Sequence, residues 1–421
     1  MKIKVRDLPY EEVMKLPVPK HIPPQKQGLF FRTLVRLLSG PELKKVNFRY
    51  DTYEMEKLDK AEPALFLMNH SSFLDLKIAF RLLYPRPFHI VCTSDGFVGK
   101  DWLMRRLGCI PTKKFMTDIT LVRDMVYAVR ELKSSVLMYP EASYSFDGTA
   151  TPLPESLGKC LKILGVPVVM IRTFGAFAGD PLYNNLQVRS TDVSARMDYI
   201  LTPEEIREKS VEELNDILKK HFTFDHFRWQ KENQVSIREP FRADGLNRVL
   251  YKCPHCLEEG SMEGTGIHLT CKKCGKTWEL SEYGELVADE GDVYFTHIPD
   301  WYQWERECVR QELLEGSYCL DIEVTICMMK DMKCIYRVGT GRLHHDRDGF
   351  SLTGCDGKLK VRLSPEASYS LYSDYFWYEI GDMICIGDRK ILYYCFPAEG
   401  MDVVAKTRLA AEELYKIVRN R

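Results

Sequence analysis

Phe66-Leu67-Met68-Asn69-His70-Ser71-Ser72-Phe73-Leu74-Asp75 sets an imidazole and a carboxylate five positions apart where a strand gives out. Ala64 to Met68 is a short apolar run. Ser71-Ser72 then begins the turn into a helical pattern of Phe73, Leu76, Ile78, Ala79, Phe80 and Leu83. His70 is thereby expected at the strand's C-terminal end and Asp75 in the first turn of the next helix, where the two side chains can meet. An aspartate that accepts from one imidazole nitrogen fixes the tautomer and leaves the other nitrogen free to take a proton. The same spacing also suits an ordinary local hydrogen-bonded pair, so the surrounding segments decide its meaning.

Three more segments follow in order: Gly108 to Lys114 (G-C-I-P-T-K-K) after a helical stretch, Val136 to Ser143 (V-L-M-Y-P-E-A-S) as a strand entering a turn, and Val166 to Ile171 (V-P-V-V-M-I) as a buried strand. Together with the first, they resemble the four ordered blocks of the PlsC-type glycerolipid acyltransferases, the family that includes 1-acylglycerol-3-phosphate acyltransferase. N-H-S-S-F-L-D matches that family's N-H-x-x-x-x-D, and Tyr139-Pro140-Glu141-Ala142-Ser143 resembles its F-P-E-G-T. The resemblance covers about residues 28 to 225.

It implies transfer of a fatty acyl group from acyl-CoA or acyl-carrier protein to a lysophospholipid or related lipid hydroxyl. His70 would be the general base and Asp75 its orienter. Glu141 and Ser143, by their match to the third block, would position the acceptor, and Lys113 or Lys114 stands near the second block's basic residue for the acceptor's phosphate. Pro167 matches the fourth block. Two departures stand out: Tyr144 replaces the family's arginine, and Ala142 its glycine. A tyrosine offers one neutral hydroxyl where an arginine would grip a phosphate bidentately. Either the acceptor is not lysophosphatidate, or Lys113, Lys114 and Arg172 carry its phosphate between them.

The chain has 421 residues and a net charge of −1, too long for one ordinary domain and too balanced for a nucleic-acid binder relying on bulk positive charge. No apolar run approaches a bilayer span, and M-K-I-K-V-R-D-L-P lacks a signal peptide's apolar centre. The expectation is a cytoplasmic protein, peripheral at the cytoplasmic membrane face. The 14 cysteines fit that compartment if four bind metal and the rest fill apolar space.

Pro9, Pro17, Pro19, Pro23 and Pro24 rule out a long helix over residues 1 to 27 and suggest an irregular strap. Gly28 to Leu38 places Phe31, Leu34, Val35 and Leu38 at helical spacing with Arg32 and Arg36 opposite. Such a helix can lie among lipid headgroups or pack into a core with its arginines in water. Apolar runs at 46–49, 64–68, 88–92, 136–139 and 166–171 alternate with helical patterns at 73–83, 100–107, 118–132 and 155–164, as in a mostly parallel sheet flanked by helices. Thr202-Pro203-Glu204-Glu205 and Ser210-Val211-Glu212-Glu213 read as capping boxes. Residues 226 to 246 read as a polar connector.

Cys253-Pro254-His255-Cys256 and Cys271-Lys272-Lys273-Cys274 are matched C-x2-C pairs, each suited to a turn that offers two thiolates to a tetrahedral ion. Four thiolates leave no open coordination position, so the cofactor expected is a structural Zn2+ in a segment resembling a zinc ribbon. Beyond Asp292, Leu320 to Ile326 alternates as a strand with one wet face. Asp348-Gly349, Asp356-Gly357 and Gly387-Asp388 read as hairpin turns, and Asp402 to Val418 carries a helical stripe. The fold class expected is therefore α/β over 1–245, in a mixed sheet flanked by helices, then a zinc ribbon over 246–290 and a β-rich module with a C-terminal helix over 291–421. A competing reading makes the chain a catalytically degenerate membrane-surface scaffold that uses the ribbon and the β module to recruit partners.

Overall fold

Four of the five apolar runs of the first half enter one seven-stranded mixed sheet, and the fifth, 46–49, leads into a strand whose residues are all exposed. The sheet order is Arg49–Tyr53, Ser194–Leu201, Val168–Phe174, Leu65–Met68, Ser135–Met138, Phe88–Thr93 and Cys109–Thr112. This computed structural model describes residues 2–116, 118–388 and 390–419. Leu65–Met68 lies between two parallel neighbours, pairing Leu65 with Val136 on one side and with Val168 on the other. All four of its residues are buried, as a strand covered on both faces requires. Val168–Phe174 and Ser194–Leu201 run antiparallel, which makes the sheet mixed. Alternate residues feed two cores: Phe66, Val169 and Ile171 pack with the helix Asp75–Leu83, and Leu65, Leu67, Val168 and Met170 pack with the helices Ile119–Arg130 and Leu157–Leu164.

Both capping boxes form, opening the helices Pro203–Glu208 and Val211–Phe222. The sequence reading passed over two strands, Cys109–Thr112 and Ser194–Leu201, because Pro111 interrupts one and Arg196 and Asp198 the other. Residues 226–246 also differ from expectation. They open with the helix His226–Glu232, N-capped by Asp225, with His226, Phe227 and Gln230 buried.

The helix Leu29–Lys45 is longer than the Gly28 to Leu38 pattern, and the expected apolar stripe splits: Val35 packs against the core and Phe31 is half-buried, whereas Leu34 and Leu38 face outward. Arg32 donates to the Pro85 carbonyl at 2.7 Å, and Arg36 lies over the Tyr84 ring at 4.3 Å. Leu29, Phe30, Leu34, Leu37 and Leu38 face outward, with Phe30 71% exposed.

Residues 262–288 form a four-stranded antiparallel sheet in the order Leu286–Ala288, Thr277–Leu280, His268–Cys271, Met262–Thr265. Its central Trp278 is fully buried against Trp301 at 4.9 Å. Trp301 belongs to Ile298–Glu315, an 18-residue helix that the sequence reading missed. Glu305 on its inward face is completely buried and accepts the Lys252 N–H at 2.8 Å, so the inward stripe is not uniformly apolar and its helical period is masked.

The C-terminal half contributes an eight-stranded sheet, ordered Leu359–Leu363, Gly349–Gly354, Ile335–Asp346, Leu320–Met329, Leu392–Pro397, Gly381–Gly387 and Tyr372–Trp377. Leu320 to Ile326 alternates buried and solvent-facing as expected, and all three Asp/Gly turns join neighbouring strands. The eighth strand comes from the first residues of the chain: Val5–Asp7 pairs in parallel with Ile335–Arg337. Helix Val404–Arg419 packs across this sheet and against Ile298–Glu315. One continuous apolar core unites the ribbon, the eight-stranded sheet and, from the first half, Phe146, Phe177, Tyr183 and Phe227.

Candidate functional site

At the C-terminal end of Leu65–Met68 the chain turns so that three donors converge on one oxygen of Asp75. The His70 Nδ1 lies 3.0 Å from Asp75 Oδ2, which also accepts the N–H groups of Ser71 at 2.8 Å and Ser72 at 3.1 Å. Asp75 is 1% exposed at the first turn of its helix, where the dipole favours a carboxylate. With Nδ1 facing a carboxylate it carries the proton, leaving Nε2 as the acceptor. Burial lowers the His70 pKa; the Asp75 hydrogen bond opposes this and the positive charge of Lys114 adds to it. The imidazole is therefore held neutral.

Its orientation is fixed from both faces. Tyr139 stacks on it at 4.4 Å and Tyr144 at 3.9 Å, with Phe73 beside Tyr144 at 5.4 Å. Beneath it, Asn69 donates to Ser71 Oγ at 2.7 Å and accepts the Thr173 N–H at 2.9 Å, and His226 Nε2 lies 3.3 Å from Ser71 Oγ. These tyrosines and His226 carried no separate signal, because stacking partners so far apart in sequence cannot be read from local spacing.

Glu141 accepts the His70 N–H at 3.0 Å through Oε2 and the Thr151 N–H at 2.8 Å through Oε1. Burial pushes its carboxyl up to about 7 despite these bonds. Both oxygens are thus committed to backbone, and the side chain braces the His70 turn. Ser143 Oγ receives Arg408 Nη1 at 3.1 Å, and the same Nη1 lies 3.2 Å from the Tyr144 carbonyl. Arg408 is 3% exposed, ion-paired with Glu412 at 3.3 Å and laid over the Phe146 ring at 4.5 Å. A guanidinium from the C-terminal helix therefore buttresses the loop where the first-half sequence carries Tyr144. Ala142 adopts φ +55°, a left-handed conformation that glycine takes without strain. The backbone, not the side chain, asks for glycine there.

The remaining candidates separate. Lys114 lies over the Tyr372 ring at 4.1 Å and makes no hydrogen bond or ion pair with the described residues. Burial lowers its pKa, opposed by the charges of Asp374 and Asp95. Lys113 reaches the Asp388 carbonyl at 3.4 Å. Arg172 is not brought to the site. It projects to the face bearing Val168 and Met170 and pairs with Asp198 at 2.8 Å, whereas its neighbour Thr173 faces Asn69.

The four cysteine sulfurs lie within 4.8 Å of one another. Cys253 and Cys274 are separated by 3.8 Å, and Cys256 and Cys271 by 3.7 Å. Sulfurs about 2.3 Å from a tetrahedral zinc stand about 3.75 Å apart, so the cluster has the dimensions of a four-thiolate zinc site.

Residues 49–172, the segment holding His70, Asp75, Glu141 and Ser143, match the family model described as Acyltransferase. That segment is an acyltransferase-family domain, the class that the four sequence blocks resemble. Among solved structures, the crystal structure of the 1-acyl-sn-glycerophosphate (LPA) acyltransferase, PlsC, from Thermotoga maritima is similar at 15% identity and a TM-score of 0.38, covering 45% of this chain and 76% of that one. No curated protein matches the chain.

Proposed function

We propose that the protein transfers a fatty acyl group from a thioester donor, acyl-CoA or acyl-carrier protein, to a lysophospholipid or related lipid hydroxyl. The observation that carries this reading is the buried Asp75 carboxylate on His70 Nδ1, which leaves Nε2 to face the incoming hydroxyl. Nε2 takes the hydroxyl proton as the oxygen attacks the thioester carbonyl. The new C–O bond forms, the C–S bond breaks, and the imidazolium, stabilised by Asp75, returns its proton to the departing thiolate. No covalent acyl-enzyme is needed.

The acceptor is met at a membrane surface. Among the described residues no helix is long and apolar enough to cross a membrane. The outward row of Leu29, Phe30, Leu34, Leu37 and Leu38, extended by the exposed Trp102, supports docking through the headgroup region. The zinc dimensions of the cysteine cluster support a structural ion that shapes the ribbon. A degenerate scaffold has no need of an imidazole held by Asp75 and stacked on Tyr139 and Tyr144, so the intact dyad favours the enzyme. Incubating purified protein with acyl-CoA and a panel of lysolipids, with products read by mass spectrometry, tests this. Acylated product lost in His70→Ala supports the reading, and no product from any pair overturns it.

A further inference from the structure

The buried guanidinium of Arg408, on the helix Val404–Arg419, is costly to keep from water unless it is paired and hydrogen-bonded. Its Nε meets Glu412 at 3.3 Å one turn further along the same helix. Glu412 is in turn held by Arg306 of the helix Ile298–Glu315 at 2.8 Å and by the Ser370 hydroxyl at 2.6 Å, which gives the guanidinium a fixed anchor. The other end of the fork reaches into the first half of the chain, where Nη1 donates to Ser143 Oγ at 3.1 Å and to the Tyr144 carbonyl at 3.2 Å. Residues 142–145 belong to no helix or strand. Among the described residues the Tyr144 carbonyl makes no backbone–backbone hydrogen bond; its donors are Arg408 and the Ser143 hydroxyl, at 3.2 Å. The ring on that loop stacks on His70 at 3.9 Å. Without the guanidinium, only one neighbouring hydroxyl holds the carbonyl of the residue that faces the base.

We propose that Arg408 is a positioning residue for the acyl transfer: it seats the Tyr144 ring on the His70 imidazole, so that a helix of the C-terminal half sets the orientation of a base carried by the first. The inference rests on the acyl-transfer reading above. Asp75 fixes the imidazole at Nδ1 but leaves it able to rock about that one bond, and the rings of Tyr139 and Tyr144 remove the freedom. A base displaced by about 1 Å from its working position costs on the order of 100-fold in rate. Arg408 thus acts on the chemical step through Tyr144, and the half of the chain beyond the ribbon completes the site.

The test pairs Arg408→Met with Tyr144→Leu in the full chain. Arg408→Met should lower kcat by about 100-fold with KM near the parent, and the double variant should fall less than about twofold below Tyr144→Leu alone, because both changes remove one arrangement. The second readout needs no activity. In protein labelled at histidine Cε1 and held at about pH 8, where an ordinary imidazole is neutral, the NMR signal lost in His70→Ala is that of His70, moved upfield by the rings stacked on it. Arg408→Met should move that signal downfield, as Tyr144→Leu does, and adding the first change to the second should move it no further. In folded variants, an unmoved signal or kcat losses that multiply in the double variant overturn the role of Arg408 and leave acyl transfer standing. If the parent transfers no acyl group, the acyl-transfer reading falls, and the His70 signal alone decides whether Arg408 seats the ring: moved, the seating is upheld; unmoved, it is overturned. Should Arg408→Met fail to fold, Arg408→Lys, which keeps a cation beside Glu412 without the planar fork, carries both readouts.

Discussion

The carboxylate of Glu141 accepts the backbone N–H of His70 at 3.0 Å and that of Thr151 at 2.8 Å, so the residue that the third sequence block contributes holds the His70 turn. Glu141→Gln would face that N–H or the Thr151 N–H with an amide donor. The expected result is a fall in kcat with little change in KM, and a destabilisation of about 1–3 kcal/mol from the unsatisfied donor. Steady-state kinetics on a thermally characterised variant check this, and a rise in KM alone would return Glu141 to acceptor binding.

Glu141 also links stability to pH. Its folded pKa of about 7 stands above the ordinary 4.5, so the folded state holds the proton more tightly. Its contribution is fully present at low pH and is lost as pH rises through about 4.5 to 7, by up to about 3 kcal/mol. The melting temperature of the parent relative to Glu141→Gln should decline across that window. Asp180 and Asp374 are pushed up to about 7 as well, so the paired difference, not the parent curve alone, isolates Glu141.

For the base itself, Asp75→Asn should reduce kcat by about 10^4 through the wrong tautomer, and His70→Ala should abolish transfer with the fold intact. Because burial lowers the His70 pKa below 6.5, the acid limb of kcat/KM should fall below about 6.5. A limb centred above that value would show that His70 is not the titrating base.

Ala142 at φ +55° predicts a stabilising substitution within the site. Ala142→Gly relieves about 1 kcal/mol of left-handed strain and should raise the melting temperature. An unchanged or lower value would mean that the loop relaxes around alanine.

Metal analysis should find zinc in protein purified without chelators, and Cys253→Ser or Cys274→Ser should remove it. Because the ribbon shares its core with the eight-stranded sheet and with Phe146, Phe177, Tyr183 and Phe227 of the loops and helices beside the seven-stranded one, chelation should lower the melting of the whole chain rather than of a separate segment. A transition unchanged by zinc removal counts against that shared core.

Leu34→Asp and Leu37→Asp should weaken sedimentation with lipid vesicles while leaving thermal melts near the parent, since both side chains are already exposed. The inward placement of Arg32 and Arg36 leaves only modest salt dependence. Early melting of these variants would place the docking face elsewhere.

What could be read from the chain alone was what depends on near neighbours. The five-residue step from His70 to Asp75, the paired C-x2-C turns, both capping boxes and the Asp/Gly hairpins are local, and each forms. Arg408 meets Ser143 across 265 positions and Tyr144 stacks on His70 from the end of a neighbouring strand, and no periodicity reports such meetings. The outward apolar face of Leu29–Lys45 was legible as amphipathic, but its direction depended on whether Tyr84 and Pro85 or solvent received the arginines.

The pairing of Val5–Asp7 with Ile335–Arg337 has a consequence in time. These partners lie 330 positions apart, so on a ribosome extending at about 5–20 residues per second the first strand waits tens of seconds for its mate. Through that interval the nascent chain carries an unclosed edge, and a product released before residue 335 would keep it, open to chaperones and to other unfinished copies.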